Sequence, residues 1–166
     1  MPIHFSILFM TALVPLIIGF IWYHPKVFGN SWMAASGVTP DSAKGAGKAL
    51  VFGLTYLFGL FLSMAINFMV NHDMHLYSLV ADDPAMNQEG SETHQWLTAS
   101  LEKYGTHFRT FKHGMFHGAL GGITIVLPVI AVNALFERKS GKYIFINAGF
   151  WIVCMMIMGG IICLWA

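Results

Sequence analysis

Two pairs of histidines have the spacing at which side chains can share a ligand. His72-Asp73-Met74-His75 sets two imidazoles three residues apart, and His113-Gly114-Met115-Phe116-His117 sets two more four apart. On a helix either interval brings both rings to one face, where they can hold a cation between them. Four imidazoles suit zinc or copper, and Met74 and Met115 would add softer donors for copper. A plainer alternative stands beside this one. Histidines at the ends of membrane-spanning helices are half apolar and half polar, and sit well in the wet headgroup zone. His117 lies deepest of the four, and an ionisable group inside a span is a candidate for function.

Whether the pairs meet depends on the elements that carry them. The 166-residue chain holds long apolar runs at approximately 4–23, 49–70, 114–136 and 143–165, none with a Lys, Arg, Asp or Glu inside it. Each is close to the ~20 residues a helix needs to cross ~30 Å of hydrocarbon. Backbone groups at that depth must be satisfied internally, which leaves helices or a closed barrel, and barrel strands would alternate apolar with polar residues. These runs are apolar all round. The predicted fold is an all-α membrane protein, a single domain over 1–166 with four transmembrane helices. The first run has no preceding Lys or Arg, is too long for a signal-peptide core and contains Pro15, so it reads as a retained span.

Composition agrees with this reading. Hydrophobic residues make up 56% of the chain and charged residues 10%, against a soluble average of about 25% charged. A net charge of +1 gives no electrostatic case for nucleic acid as a partner. The expected partners are the lipid bilayer and, through glycine-rich faces, a second copy of the chain. Cys154 and Cys163 both lie in the last run, too far apart on one helix to bridge.

Four spans put both termini on one side with the loop 71–113. The opposite side carries Lys26, Lys44, Lys48, Arg138, Lys139 and Lys142, whereas the long loop has only Lys103, Arg109 and Lys112 among six acidic residues. The positive-inside bias predicts an inner (cytoplasmic) membrane location, with both termini and the long loop extracytoplasmic. The second span and third span then end and begin at the same outer surface, where the two histidine pairs can be neighbours.

The loops carry signals of their own. Thr39-Pro40-Asp41 has the form of a helix start leading into the second span. Residues 80–91 are rich in Asp, Pro, Asn and Gly and read as irregular. Trp96, Leu97, Leu101, Tyr104, Phe108 and Phe111 then recur at helical spacing, which predicts an amphipathic interfacial helix before the third span.

Inside the bundle, Thr55, Gly59, Ser63, Asn67 and Asn71 step by four along the second span, and Gly114, Gly118 and Gly122 step by four along the third. Small residues at this interval let helices approach closely, and Ser or Asn can hydrogen-bond across the contact. One reading packs these two faces on each other. The other makes Asn67, Asn71, His113 and His117 the lining of a polar cavity open to the outer side. Pro15 and Pro128 remove backbone bonds and predict kinks in the first and third helices.

The most distinctive stretch closes the first helix: Gly19, Trp22, Tyr23, Pro25, Phe28, Gly29 and Trp32 fall in a Gly-x-x-Trp-Tyr-x-Pro-x-x-Phe-Gly-x-x-Trp pattern. It resembles the hallmark of an uncharacterised bacterial membrane family, number 1761 among the domains of unknown function. His113-Gly114 with Gly118, and Phe136-Glu137-Arg138 followed by Asn147 and Trp151, are similar to the second half of that family. The resemblance implies four helices in a membrane and supplies no activity. Family members usually carry a small residue where this chain has His24, and often a shorter middle loop. Read physically, Trp22 and Tyr23 anchor the helix at the interface, Pro25 stops it, and Phe28 and Trp32 return to the headgroup layer. Charged residues 137–139 are placed to pair with the first loop.

These features predict a small, non-enzymatic multi-pass protein acting in transport or as an accessory component, or else an outer-face metal-binding module using His72, His75, His113 and His117 for zinc or copper. A membrane oxidoreductase is the third reading. Di-iron membrane enzymes use more histidine boxes than the two here, and a haem held by His75 and His117 has no other support. No Ser/His/Asp arrangement, phosphate-cradling loop or pair of intramembrane carboxylates is visible.

Overall fold

A computed structural model describes residues 4–39 and 47–166. Among them, four helical stretches are long and apolar enough to cross a membrane: Phe5–Trp22, Lys48–Val70, Phe111–Phe136 and Gly141–Trp165. No strand occurs among the described residues. The fold is all-α, as the uninterrupted apolar runs require. The helix start read at Thr39-Pro40-Asp41 falls largely outside the described residues, and the second span is seen from Lys48 onwards.

The first span is two pieces, α1 (Phe5–Thr11) and α2 (Val14–Trp22), broken at Ala12 and Leu13. Pro15, near the start of α2, cannot donate to the preceding turn, so the helix restarts there. A π-helical turn at Pro25–Gly29 leads into α3 (Asn30–Ser36), which Gly37 ends with a φ of 82°. The second span is α4 (Lys48–Val70), and α5 (His72–Leu79) follows after an extended Asn71. The third span runs as α7 (Phe111–Gly121), a π-helical turn at Gly122–Val126 and α8 (Leu127–Phe136). That wider turn lies immediately before Pro128, where the ring removes an N–H and crowds the preceding backbone. The fourth span, α9 (Gly141–Trp165), is continuous and central.

The amphipathic helix α6 (Glu92–Tyr104) forms as predicted but stops at Gly105. Phe108 and Phe111 therefore do not belong to its face. Phe108 instead takes a left-handed backbone, φ 62°, and Phe111 opens the third span. The segment 80–91 contains one short 3-10 turn, Pro84–Asn87. The Asp83 carboxylate accepts hydrogen bonds from the Thr93 hydroxyl and the Ala85 N–H, which hold it below the ordinary Asp value.

The small-residue stripes pair differently from the expectation that the second and third spans face each other through them. Gly114, Gly118 and Gly122 pack on the fourth span. A methyl at Gly114 would lie 2.6 Å from the Gly159 carbonyl carbon, one at Gly118 2.9 Å from Met156 Cα, and one at Gly122 2.9 Å from Ile152 Cα. Gly59 packs on the first span, where a methyl would meet the Ala12 carbonyl oxygen at 2.6 Å, and Ser63 Oγ donates to Leu8 O at 3.1 Å. The fourth span decides the pairing, because Gly159 and Gly160 give it its own closely approachable face opposite Gly114 and Phe111. Asn67 and Asn71 are buried, and Asn71 Nδ2 donates to Asn67 Oδ1 at 2.7 Å. They do not line an open cavity.

Candidate metal centre

Each histidine is placed by a local break in the backbone. Asn71, extended at φ −99° and ψ 104°, ends the second span and makes His72 the first residue of α5. Across the bundle, Thr110 caps α7: its hydroxyl accepts from the His113 N–H at 3.2 Å, setting His113 in the first turn and His117 one turn deeper. The Cys163 thiol links the two breaks from α9, donating towards Val70 O at 3.7 Å and Phe108 O at 3.5 Å.

The result is a cluster of His72, His113 and His117, whose ligating nitrogens all lie within 4.8 Å of one another and whose side chains are half-buried. His113 Nε2 is 3.2 Å from His72 Nε2. Ring centroids are separated by 4.9 Å for His72–His113, 4.5 Å for His113–His117 and 5.7 Å for His72–His117. A tetrahedral zinc with Zn–N bonds of about 2.0–2.1 Å separates its ligand nitrogens by about 3.4 Å. The closest pair is already near that spacing, and side-chain rotation can close the remainder.

His75, the fourth predicted ligand, is exposed and outside the trio. Its ring stacks beside His72 at 6.2 Å. Burial lowers the His72 pKa, and repulsion from His113 and then His75 adds to this, while Asp73 opposes it. The neutral imidazole, the form that binds metal, is therefore favoured.

Three neighbours take places that the sequence reading did not give them. Phe108 lies over the cluster, stacked on His113 at 5.2 Å and edge-on to His72 at 5.9 Å. Helical periodicity had assigned it to α6, and only Gly105 hinted otherwise. Asp73 is 2% exposed; its Oδ1 accepts from the Met74 N–H, and its Oδ2 has no hydrogen-bond partner among the described residues. The Asn71 Oδ1 is likewise buried and unpartnered among them.

The opposite end of the bundle is built around Asn147 of α9. Its Oδ1 accepts from the Tyr23 hydroxyl and from the Trp32 indole N–H, each at 3.2 Å, while its Nδ2 donates to Tyr143 O at 2.8 Å. The Trp22 indole donates to Ile146 O at 3.1 Å, and Phe28 packs against Trp22 with centroids 4.6 Å apart. The polar ends of these aromatics are thus satisfied by the fourth span rather than by headgroups. Lys139 Nζ donates to Ser36 O at 2.7 Å, joining the third span's exit to the first loop as the charge pattern predicts.

A four-span helical bundle with a histidine cluster at one mouth and an aromatic clasp at the other defines the class of protein. Over residues 6–163 the chain matches the family described as "Protein of unknown function (DUF1761)", and it belongs to that family. No curated protein and no solved structure matches it.

Proposed function

We propose that this protein is a small, non-enzymatic membrane module that binds a transition-metal ion, zinc or copper, at the mouth of its bundle and serves that ion's transport or delivery. One observation carries the reading: His72, His113 and His117 converge from two elements 41 residues apart to within 4.8 Å. An all-imidazole set suits zinc or copper, whereas calcium and magnesium take oxygen ligands. The excess of Lys and Arg in the first and third loops orients the histidine mouth outwards across the inner membrane. A binder at that face would capture or release its ion on the extracytoplasmic side.

The test is a competition titration of untagged, metal-stripped protein in mild detergent, with zinc and copper in turn against a chelator of known affinity. Wild type should take up one ion per chain with saturation, and His113→Ala/His117→Ala should not. Absence of saturable binding, or equal binding by the double variant, would overturn the proposal.

A further inference from the structure

The clasp end of the bundle encloses a cavity of about 440 Å³ between the first, second and fourth spans. That volume lies within the roughly 300–1,000 Å³ of small-ligand sites. Gly19, Tyr23 and Trp32, three residues of the signature pattern, form part of its wall. Three of its lining residues carry polar atoms already committed elsewhere: Tyr23 and Trp32 donate to Asn147, and the Thr55 hydroxyl donates to Val51 O of its own helix at 2.8 Å. The rest of the wall is apolar or aromatic, including Leu16 and Phe150, with the indole N–H of Trp151 as its one further polar group among the described residues.

The edge of the cavity is marked by Phe20 and Phe52, both exposed, with ring centroids 5.7 Å apart. They stand on outward faces of the first and second spans, the faces that a bilayer would cover, and the cavity they border is partly open rather than sealed. Gly19 keeps it empty on the inner side: a methyl there would meet only the Phe150 ring, at 3.9 Å. Above the cavity, exposed Lys48 begins the second span. It precedes Val51 and Thr55 by three and seven residues, the helical interval that puts all three on one face. Lys139 and Lys142 lie on the same side of the bundle, with Glu137 as an acidic neighbour.

We propose that this cavity holds one acyl chain of an anionic phospholipid, whose headgroup lies against Lys48. A wall whose hydroxyls are already paired selects hydrocarbon, a partly open cavity bordered by bilayer-facing side chains admits it, and the cationic residue one turn above selects the headgroup charge. The signature residues thereby act as the wall of a lipid site as well as a clasp.

The experiment uses the full chain reconstituted in equal parts phosphatidylglycerol and phosphatidylcholine, extracted in mild detergent and examined by native mass spectrometry. Wild type should retain a single phospholipid, with phosphatidylglycerol preferred about five-fold, the effect of roughly one lysine beside an anionic headgroup. Gly19→Leu, which fills the cavity, should lose the lipid. Thr55→Leu fills it from the opposite wall and gives the same answer should Gly19→Leu not fold. Lys48→Gln should keep the lipid and lose the preference. Equal retention by the filled variants would make the lipid merely annular and overturn the proposal. So would a wild type that retains no lipid, or one that closes the cavity with a second copy of itself.

Discussion

Gly114 makes the sharpest demand on the packing. Replacing it with alanine adds a methyl 2.5 Å from Cys163 Cβ and 2.6 Å from the Gly159 carbonyl carbon. Comfortable carbon–carbon separations are about 3.5–4.0 Å, so α7 and α9 must part by about 1 Å, and a gap of that size forfeits a quarter to a half of each dispersion contact along the seam. Overpacking of this kind costs about 1–3 kcal/mol. For a chain of this length that lowers Tm by about 2–12 °C, at about 2–4 °C per kcal/mol. Gly53 is the internal control, because a methyl there meets nothing within 4 Å. Alanine in that helix interior should leave Tm unchanged or raise it, by roughly the 0.5–1 kcal/mol that separates alanine from glycine. The assay is thermal unfolding in detergent followed by helical circular dichroism. Gly114 lies between His113 and His117, so Gly114→Ala should weaken metal binding as well. A Gly114→Ala protein as stable as wild type, or a Gly53→Ala protein as damaged as Gly114→Ala, would refute the packing argument.

Other consequences follow from the same contacts. His72→Ala should abolish metal uptake in the competition titration, while His75→Ala, outside the trio, should reduce it only slightly. Metal affinity should hold on acidification down to the ordinary histidine range near pH ~6.5 and fall below it. The reason is that a lowered His72 pKa keeps the ring neutral until protons compete at the folded value, and zinc titrations from pH 8 to 5 would follow the loss. The same shift makes unfolded chains bind protons first, so apo-protein stability should also decline as pH drops through that range. Asn147→Leu strands the Tyr23 hydroxyl and the Trp32 indole N–H, at about 1–3 kcal/mol for each buried donor left unpaired, less where lipid headgroups or water reach it. Thermal unfolding should register that loss. Ser63→Ala removes one hydrogen bond to Leu8 O across helices and should be mild, about 0.6 kcal/mol.

The four spans were legible in the sequence because charge is absent from each run and the runs are apolar all round, which leaves helices rather than barrel strands to cross hydrocarbon. The meeting of His72 with His113 and His117 was legible from connectivity: one loop joins the second span to the third, so the end of one and the start of the next share a membrane surface. What could not be read was which helix each glycine face would choose. Gly114, Gly118 and Gly122 announce a close partner, but any helix with its own small residues at the same depth can be that partner, and the Gly159-Gly160 pair won the contact. The path of 105–110 was hidden for a different reason. Helical spacing continues through Phe108, yet the chain must turn to enter the third span, and Phe108 absorbs the turn with a left-handed backbone that brings its ring onto His113. The clasp was legible as a pattern and not as a set of partners, because Asn147, though part of the family resemblance, is remote in sequence from Tyr23 and Trp32 and nothing in the sequence joins them.

The central claim is that the histidine cluster holds a metal, and the most direct test is elemental analysis of untagged protein isolated from membranes in mild detergent, beside the His113→Ala/His117→Ala variant. The account predicts near-stoichiometric zinc or copper in the wild type and its loss in the variant. No metal in the wild type, or the same metal content in both, would contradict it and return the three histidines to the role of polar residues at a helix end.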